Sequence, residues 1–185
     1  VVEPDKCTGC QACTIACKEE NNIPHGSPRD QKRRREIYWN RVLAIAEEGE
    51  YPTQRVQLLS MPCMHCEQAP CVTVCPAKAT YRREDGIIMQ DYRRCIGCKY
   101  CIVACPYGVR SFNFKRQAEQ PYHRPDPPPD RLSRATWPYP RRAIGVVEKC
   151  TFCFHRIDVA LREGKLVGVD VVPACVEACP ARARA

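Results

Sequence analysis

All sixteen cysteines of this 185-residue chain fall into four groups of four. The groups are Cys7-Cys10-Cys13-Cys17, Cys63-Cys66-Cys71-Cys75, Cys95-Cys98-Cys101-Cys105 and Cys150-Cys153-Cys175-Cys179. Three groups end in Cys-Pro, at Cys75-Pro76, Cys105-Pro106 and Cys179-Pro180. An even cysteine count is also what a disulfide framework shows. Here the spacing argues against one, because a C-x2-C pair strains the geometry of its own bridge and runs of such pairs make poor frameworks. Aromatic residues are only 8% of the chain, so core material is thin. Small domains with thin cores need a covalent or metal staple. The staple expected here is inorganic, and the metal-free chain is expected to be largely unstructured.

The third group is a complete C-x2-C-x2-C-x3-C-P run, the spacing that holds four-iron, four-sulfur clusters in bacterial ferredoxins. Three thiolates in one tight loop surround one face of a cubane. The fourth, expected to start a helix that points away, ligates the neighbouring cluster. Applied throughout, this cross-over assigns Cys7, Cys10, Cys13 and Cys179 to a first [4Fe-4S] cluster and Cys17, Cys150, Cys153 and Cys175 to a second. Cys63, Cys66, Cys71 and Cys105 take a third; Cys75, Cys95, Cys98 and Cys101 take a fourth. Group four is stretched by the 21 residues between Cys153 and Cys175, and Cys17 is followed by Lys18 rather than proline. Zinc also accepts C-x2-C pairs, but this run is not a usual zinc spacing. Gly9 and Gly97 are expected to let backbone approach the cluster. His65, inside Cys63-Met64-His65-Cys66, reads as a packing or hydrogen-bonding residue, since the ligand count is already complete. Tyr100, Tyr107 and Phe152 read as a shield against solvent.

The formal charge is +8 with cysteines counted as neutral. Four oxidised clusters with their thiolates add about −8, which brings the loaded chain near neutrality and removes the reason to expect nucleic acid. No apolar run reaches the ~18 residues of a membrane helix, and no charged segment followed by an apolar one opens the chain. There is no C-x3-C-x2-C signature, no GxGxxG and no phosphate loop. With every cluster position filled by cysteine, outer-sphere electron transfer is the chemistry that remains, and the chain is expected to be non-catalytic.

The organisation follows from the groups. Groups two and three, with 19 residues between Cys75 and Cys95, make an inner ferredoxin-like unit over 60–115. Residues 1–23 and 143–185 make a discontinuous outer one, giving an α+β fold of two units with loop and strand insertions. Tyr81 to Met89 reads as a hairpin turning at Asp85-Gly86. Helices are expected at Ala12–Glu19, Lys99–Ala104 and Phe154–Glu163, with Ile157, Ala160 and Leu161 on one face. Leu166–Val172 reads as a strand. Residues 24–59 form a basic connector whose Tyr38–Ile45 stretch reads as a strand. Residues 116–142, with seven prolines, form an extended surface connector in which Trp137 and Tyr139 could pack on a partner.

Four stretches stand out first: Asp5-Lys6-Cys7-Thr8-Gly9-Cys10-Gln11-Ala12-Cys13, Met61-Pro62-Cys63-Met64-His65-Cys66, Arg83-Glu84-Asp85-Gly86-Ile87 and Cys95-Ile96-Gly97-Cys98-Lys99-Tyr100-Cys101. Ala104-Cys105-Pro106-Tyr107-Gly108-Val109-Arg110 and Glu148-Lys149-Cys150-Thr151-Phe152-Cys153 complete the set. Together they resemble the iron–sulfur subunit of the dimethyl sulfoxide reductase and polysulfide reductase family of molybdopterin oxidoreductases. The resemblance implies the same ligand partition. It also implies a role in passing electrons between a molybdopterin-type catalytic subunit and a quinone-reactive membrane subunit. The chain would then be held peripherally at a membrane through its partners, the periplasmic side favoured. In nitrate reductase β subunits and in alternative complex III the second cysteine of group three is replaced, leaving a three-iron cluster. Cys98 fills that position here, which argues for four cubanes. The alternative is the iron–sulfur subunit of another membrane redox complex, of the alternative complex III or hydrogenase type.

Overall fold

The computed structural model describes residues 2–50, 52–115 and 142–184. Its helices are short and most begin beside a cysteine. Helices α1 (Ala12–Glu20), α3 (Pro70–Thr73), α4 (Tyr100–Val103) and α6 (Ala174–Glu177) each carry the third cysteine of a group. In α3, α4 and α6 the fourth cysteine lies just past the last turn; in α1 it lies within the helix. The expectation that the fourth cysteine starts the helix is therefore corrected: the helix forms on the third. The loops that precede the helices repeat in detail. Gly9 and Gly97 both take φ +70, and Gln11 (φ 63) and Lys99 (φ 65) both cap their helices in the left-handed region. A run of three cysteines two residues apart thus folds the same way in groups one and three.

The two chain ends meet. Val2 bridges Arg184, and the Glu3 N–H donates to the Ala183 carbonyl at 2.8 Å. Helix α1 packs on α6. Arg156 on α5 (Phe154–Arg162) clamps both, donating to Glu20 Oε1 and Oε2 at 2.7 and 2.8 Å and to Glu177 Oε2 at 2.5 Å. His155 Nε2 lies 2.6 Å from Glu20 Oε1. These donors, Arg156 foremost, hold the Glu20 carboxyl down at about 2.

The hairpin is formed by β3 (Thr80–Arg82) and β4 (Ile88–Gln90), antiparallel with Tyr81 opposite Met89. Gly86 turns it at φ +85. Its Ile87 and Met89 pack with Ile157 and Phe154 of α5, and Arg83 pairs bidentately with Asp158 at 2.6 and 3.2 Å. Three departures from the sequence reading stand out. The strand within 38–45 is β1 (Asn40–Ala46), and it pairs with β2 (Val56–Pro62), a strand that runs directly into Cys63. Helix α2 (Pro28–Lys32), closed by a Ser27–Asp30 capping box, occupies part of the basic connector. Leu166–Val172 is not a strand but a tight turn: Asp170 donates its N–H to the Leu166 carbonyl, Gly168 sits at φ +89 and Val169 is exposed. Its one bridge, Val167 to Val171, closes its own turn, and among the described residues no neighbouring strand joins it, so β propensity alone decided nothing. On α5, Ile157 and Ala160 are buried as expected, but Leu161 is exposed. Residues 116–141 of the proline-rich connector, with Trp137 and Tyr139, lie outside the described residues.

One buried ion pair joins the distant segments. Arg142 Nε donates to Glu148 Oε2 at 2.9 Å, with both side chains fully buried. Its Nη1 and Nη2 donate to the carbonyls of Asn21 and Asn22, both at 2.9 Å. Trp39 Nε1 donates to the same Glu148 oxygen at 3.3 Å. Strand β6 (Val147–Glu148) pairs with β5 (Ser111–Phe112) just past group three. The end of α1, the connector strand, group three and the entry to group four are thereby tied at one point. We predict that Arg142→Met, which leaves Glu148 buried and unpaired, costs about 3–5 kcal/mol. Thermal melting of the loaded protein reads this as a lowered midpoint; an unchanged midpoint contradicts it.

Candidate iron–sulfur centres

The sixteen thiols are all free of disulfides. Cys7, Cys10, Cys13 and Cys179 line one cavity, together with Ser60 and Arg184. Cys63, Cys66, Cys71 and Cys105 line a second, with Ile88 and Arg110. Cys17 lies within electrostatic reach of Cys150, Cys153 and Cys175, and Cys101 within reach of Cys95 and Cys75. Cys98 is at the surface of the loop between Cys95 and Cys101. Among the described residues no three His, Cys, Asp or Glu side chains converge as they do on a single metal ion. Eight of the thiols line two spaces instead.

Cys17, Cys150, Cys153 and Cys175 are buried. Burial pushes the Cys150, Cys153 and Cys175 thiols up to about 11, and the Cys17 thiol well above its usual value, with neighbouring cysteines adding to the rise. Such a group resists ionisation until metal takes the place of the protons. Cys75 is the opposite case. Burial raises it, but the backbone amides of Thr80, whose nitrogen is 3.5 Å from Sγ, and of Ala79 outweigh that and lower it. Other donors also aim at sulfur: the Phe152 N–H at Cys150 (3.4 Å), and Asn21 Nδ2 at Cys17 (3.7 Å) and Cys153 (3.8 Å). Hydrogen bonds to ligand sulfur raise a cluster's potential.

His65 is placed as a hydrogen-bonding residue. Its Nδ1 accepts the Ile88 N–H at 3.0 Å, and its ring meets Phe152 edge-on at 5.6 Å. Burial, then Lys149 and Arg110, lower its pKa to about 3, so the imidazole is neutral. Tyr100, Tyr107 and Phe152 lie at the surface, Tyr100 63% exposed, so any shielding comes from an outer skin and not from a seal. The glycine reading is sharpened. A Cβ on Gly97 would collide with the Gly145 carbonyl oxygen, and one on Gly9 would press on Leu58 Cδ1 at 2.9 Å. Both glycines thus serve close packing as well as a positive φ.

Several residues at the thiols were missed from sequence. Asn21 follows Cys17 by one helical turn, a spacing that places its amide back over that thiol. Lys149 directly precedes Cys150, yet it is fully buried and donates to the carbonyls of Cys150 (2.7 Å) and Ile88. Arg110 and Arg184 are buried too. A basic residue beside a cysteine ordinarily reads as solvated, and only burial distinguishes these.

The pattern of the 4Fe-4S dicluster domain matches residues 6–79 and 94–183, and a second dicluster pattern matches 54–121. The chain is 42% identical, over its whole length, to a Halobacterium salinarum protein named as an iron–sulfur subunit of dimethyl sulfoxide reductase, of which it spans 63%. It is 41% identical, over 97% of its length, to the menaquinone reductase iron–sulfur cluster-binding subunit of Nitratidesulfovibrio vulgaris, spanning 71% of that protein. It is 35% identical over its whole length to the arsenate respiratory reductase iron–sulfur subunit of a Shewanella strain, spanning 78%. The chain therefore spans less than two thirds of the Halobacterium protein. It belongs to the 4Fe-4S dicluster proteins, and within them to the iron–sulfur subunits of the dimethyl sulfoxide reductase family. Among the described residues no helix is long and apolar enough to cross a membrane.

We predict that Gly97→Ala lowers both cluster content and melting temperature, since it adds a collision to the ~1–2 kcal/mol of a left-handed backbone. Gly164→Ala, at φ +68 with open space around it, should cost the backbone component alone. Visible absorbance per chain and thermal melting compare the two. Equal effects would show that the close approach at Gly97 is not required.

Proposed function

We propose that the chain holds four [4Fe-4S] clusters and relays electrons through them, between a molybdopterin-type catalytic subunit and a quinone-reactive membrane subunit. The proposed ligands are Cys7, Cys10, Cys13 and Cys179; Cys17, Cys150, Cys153 and Cys175; Cys63, Cys66, Cys71 and Cys105; and Cys75, Cys95, Cys98 and Cys101. The single observation that carries this is the distribution of the thiols. Two of the four sets each line one cavity, Cys17 meets Cys150, Cys153 and Cys175 from the far end of the chain, and Cys101 meets Cys95 and Cys75. The clusters supply one-electron transfer at potentials set by hydrogen bonds, burial and charge.

The chain's own residues suggest the order. Cys63 packs against the buried Cys17–Cys150 pair, and Cys71 and Cys101 share one apolar cluster. Successive sets are thus neighbours, and the outer unit (1–23 with 143–185) meets the inner (60–115) at Cys63. The exposed cysteines, Cys10 and Cys98, belong to the first and last sets. These are the places where electrons would enter and leave. Around Cys98 the surface is apolar, with Ile96, Tyr100 and Val103 all more than half exposed, which suits a docking face. The chain itself carries no catalytic residue in this reading, and attachment to a membrane is through partners. The similarity to a menaquinone reductase subunit favours a second reading, a relay in a menaquinone-linked membrane redox complex of another type. Molybdenum content of the isolated complex separates the two.

Iron analysis of the intact loaded chain should return roughly 16 atoms per chain, and about 12 or fewer would contradict the four-cubane reading. Cys98→Ala should convert one cluster to a three-iron form with a new EPR signal in the oxidised state. An unchanged spectrum would remove Cys98 from the ligand set.

A further inference from the structure

Five lysine or arginine side chains are buried among the described residues: Lys18, Arg110, Arg142, Lys149 and Arg184. Two are neutralised by carboxylates, Lys18 by Glu36 at 2.7 Å and Arg142 by Glu148 at 2.9 Å. The other three pair with no carboxylate among the described residues, and their hydrogen-bond partners are neutral. Arg110 Nη1 donates to Gln90 Oε1 at 3.1 Å. Lys149 Nζ donates to two backbone carbonyls, those of Cys150 and Ile88. Arg184 Nη1 donates to Asn40 Oδ1 at 3.2 Å and to Ser60 Oγ. Among the described residues Arg110 Nη2 and Arg184 Nε are buried without a nitrogen or oxygen acceptor, and the Arg110 side chain also meets the Cys101 thiol. A buried cation without a counter-charge is among the costliest groups a fold can carry. Three of them imply negative charge that the protein atoms do not supply.

Their positions say where that charge belongs. Arg184 lines the cavity of Cys7, Cys10, Cys13 and Cys179, and its charge is also felt at Cys17 and Cys175. Lys149 adjoins Cys150, and the Ile88 carbonyl it binds belongs to a residue lining the cavity of Cys63, Cys66, Cys71 and Cys105. Arg110 lines that same cavity and also reaches Cys101. Each cation therefore stands between two successive thiol sets: first and second, second and third, third and fourth.

We infer that Arg184, Lys149 and Arg110 are built-in counter-charges, one at each junction between successive cysteine sets, and that each raises the reduction potentials of the two sets it separates. The inference rests on the ligand sets proposed above. A thiolate-ligated cluster is anionic and becomes more so on reduction, so a fixed cation in a dry interior favours the reduced form. Placed between two centres, it also offsets the repulsion that an electron on one exerts against an electron on the next. Neighbouring levels then stay close, and no junction becomes a trap. The three side chains act through charge alone and are positioning residues.

The test is an EPR-monitored redox titration of the fully loaded chain in its complex, with the four signals assigned by single-cysteine variants. Arg184→Gln should lower the midpoints of the first and second sets, Lys149→Met those of the second and third, and Arg110→Gln those of the third and fourth. In each case the remaining two signals should stay in place. Arg184→Lys, Lys149→Arg and Arg110→Lys should restore the wild-type midpoints. Where a neutral variant does not load, Gln90→Glu cancels the Arg110 charge in place and should lower the third and fourth midpoints alone. Four signals with unmoved midpoints, or a uniform shift of all four, would overturn the role of the cations. A wild-type protein without four assignable signals would overturn the ligand sets, and this inference with them.

Discussion

Sixteen thiols come from four separate stretches of chain, and if they serve shared sites, as proposed above, the brevity of most other elements follows from that demand. Helices α3, α4 and α6 are four residues long, and the strands β3 to β6 two or three. Helices of one turn do not persist alone in water, and neither do isolated two-stranded ribbons. The apolar clusters are correspondingly small, and cysteines are prominent members of two of the three. In the proposed ligand sets ligation stabilises such a chain, tying residues near its beginning to residues near its end.

Polar contacts complete what ligation begins. The Arg142–Glu148 pair reaches the end of α1, Trp39 and the entry to group four at once. Arg156 holds α1 and α6 to α5 through Glu20 and Glu177. Arg83 and Asp158 fasten the hairpin to that same helix. Where a larger domain would use a core, this chain uses charged side chains whose partners are fixed by geometry. The buried cations without carboxylates fit the same pattern if, as inferred above, the clusters are their counter-ions.

Much of this was legible because cysteine spacing is a strong, local signal. The repeated loop at Gly9 and Gly97 follows from C-x2-C-x2-C, and Asp85-Gly86 marked a turn whose flanking residues do pair. Helix α5 was visible from Ile157 and Ala160. The failures share one cause. β2 begins with an exposed Val56 and carries little apolar alternation, so nothing in its own residues announced the pairing that β1 imposes. Leu166–Val172 had the residues of a strand but no edge to join. Asn21, Arg110, Lys149 and Arg184 look like surface residues, and only the fold encloses them. Local chemistry can be read along a chain, whereas enclosure depends on segments far apart in it.

We propose that ligated metal, and not an apolar core, organises this molecule. The direct measurement is far-UV circular dichroism and Trp fluorescence of the anaerobically loaded chain before and after removal of iron by a chelator. Removal should abolish the ordered spectrum and expose Trp39, buried to 1% accessibility in the fold, and iron and sulfide should restore both. An iron-free chain that keeps its spectrum and melts cooperatively at the same temperature would contradict it.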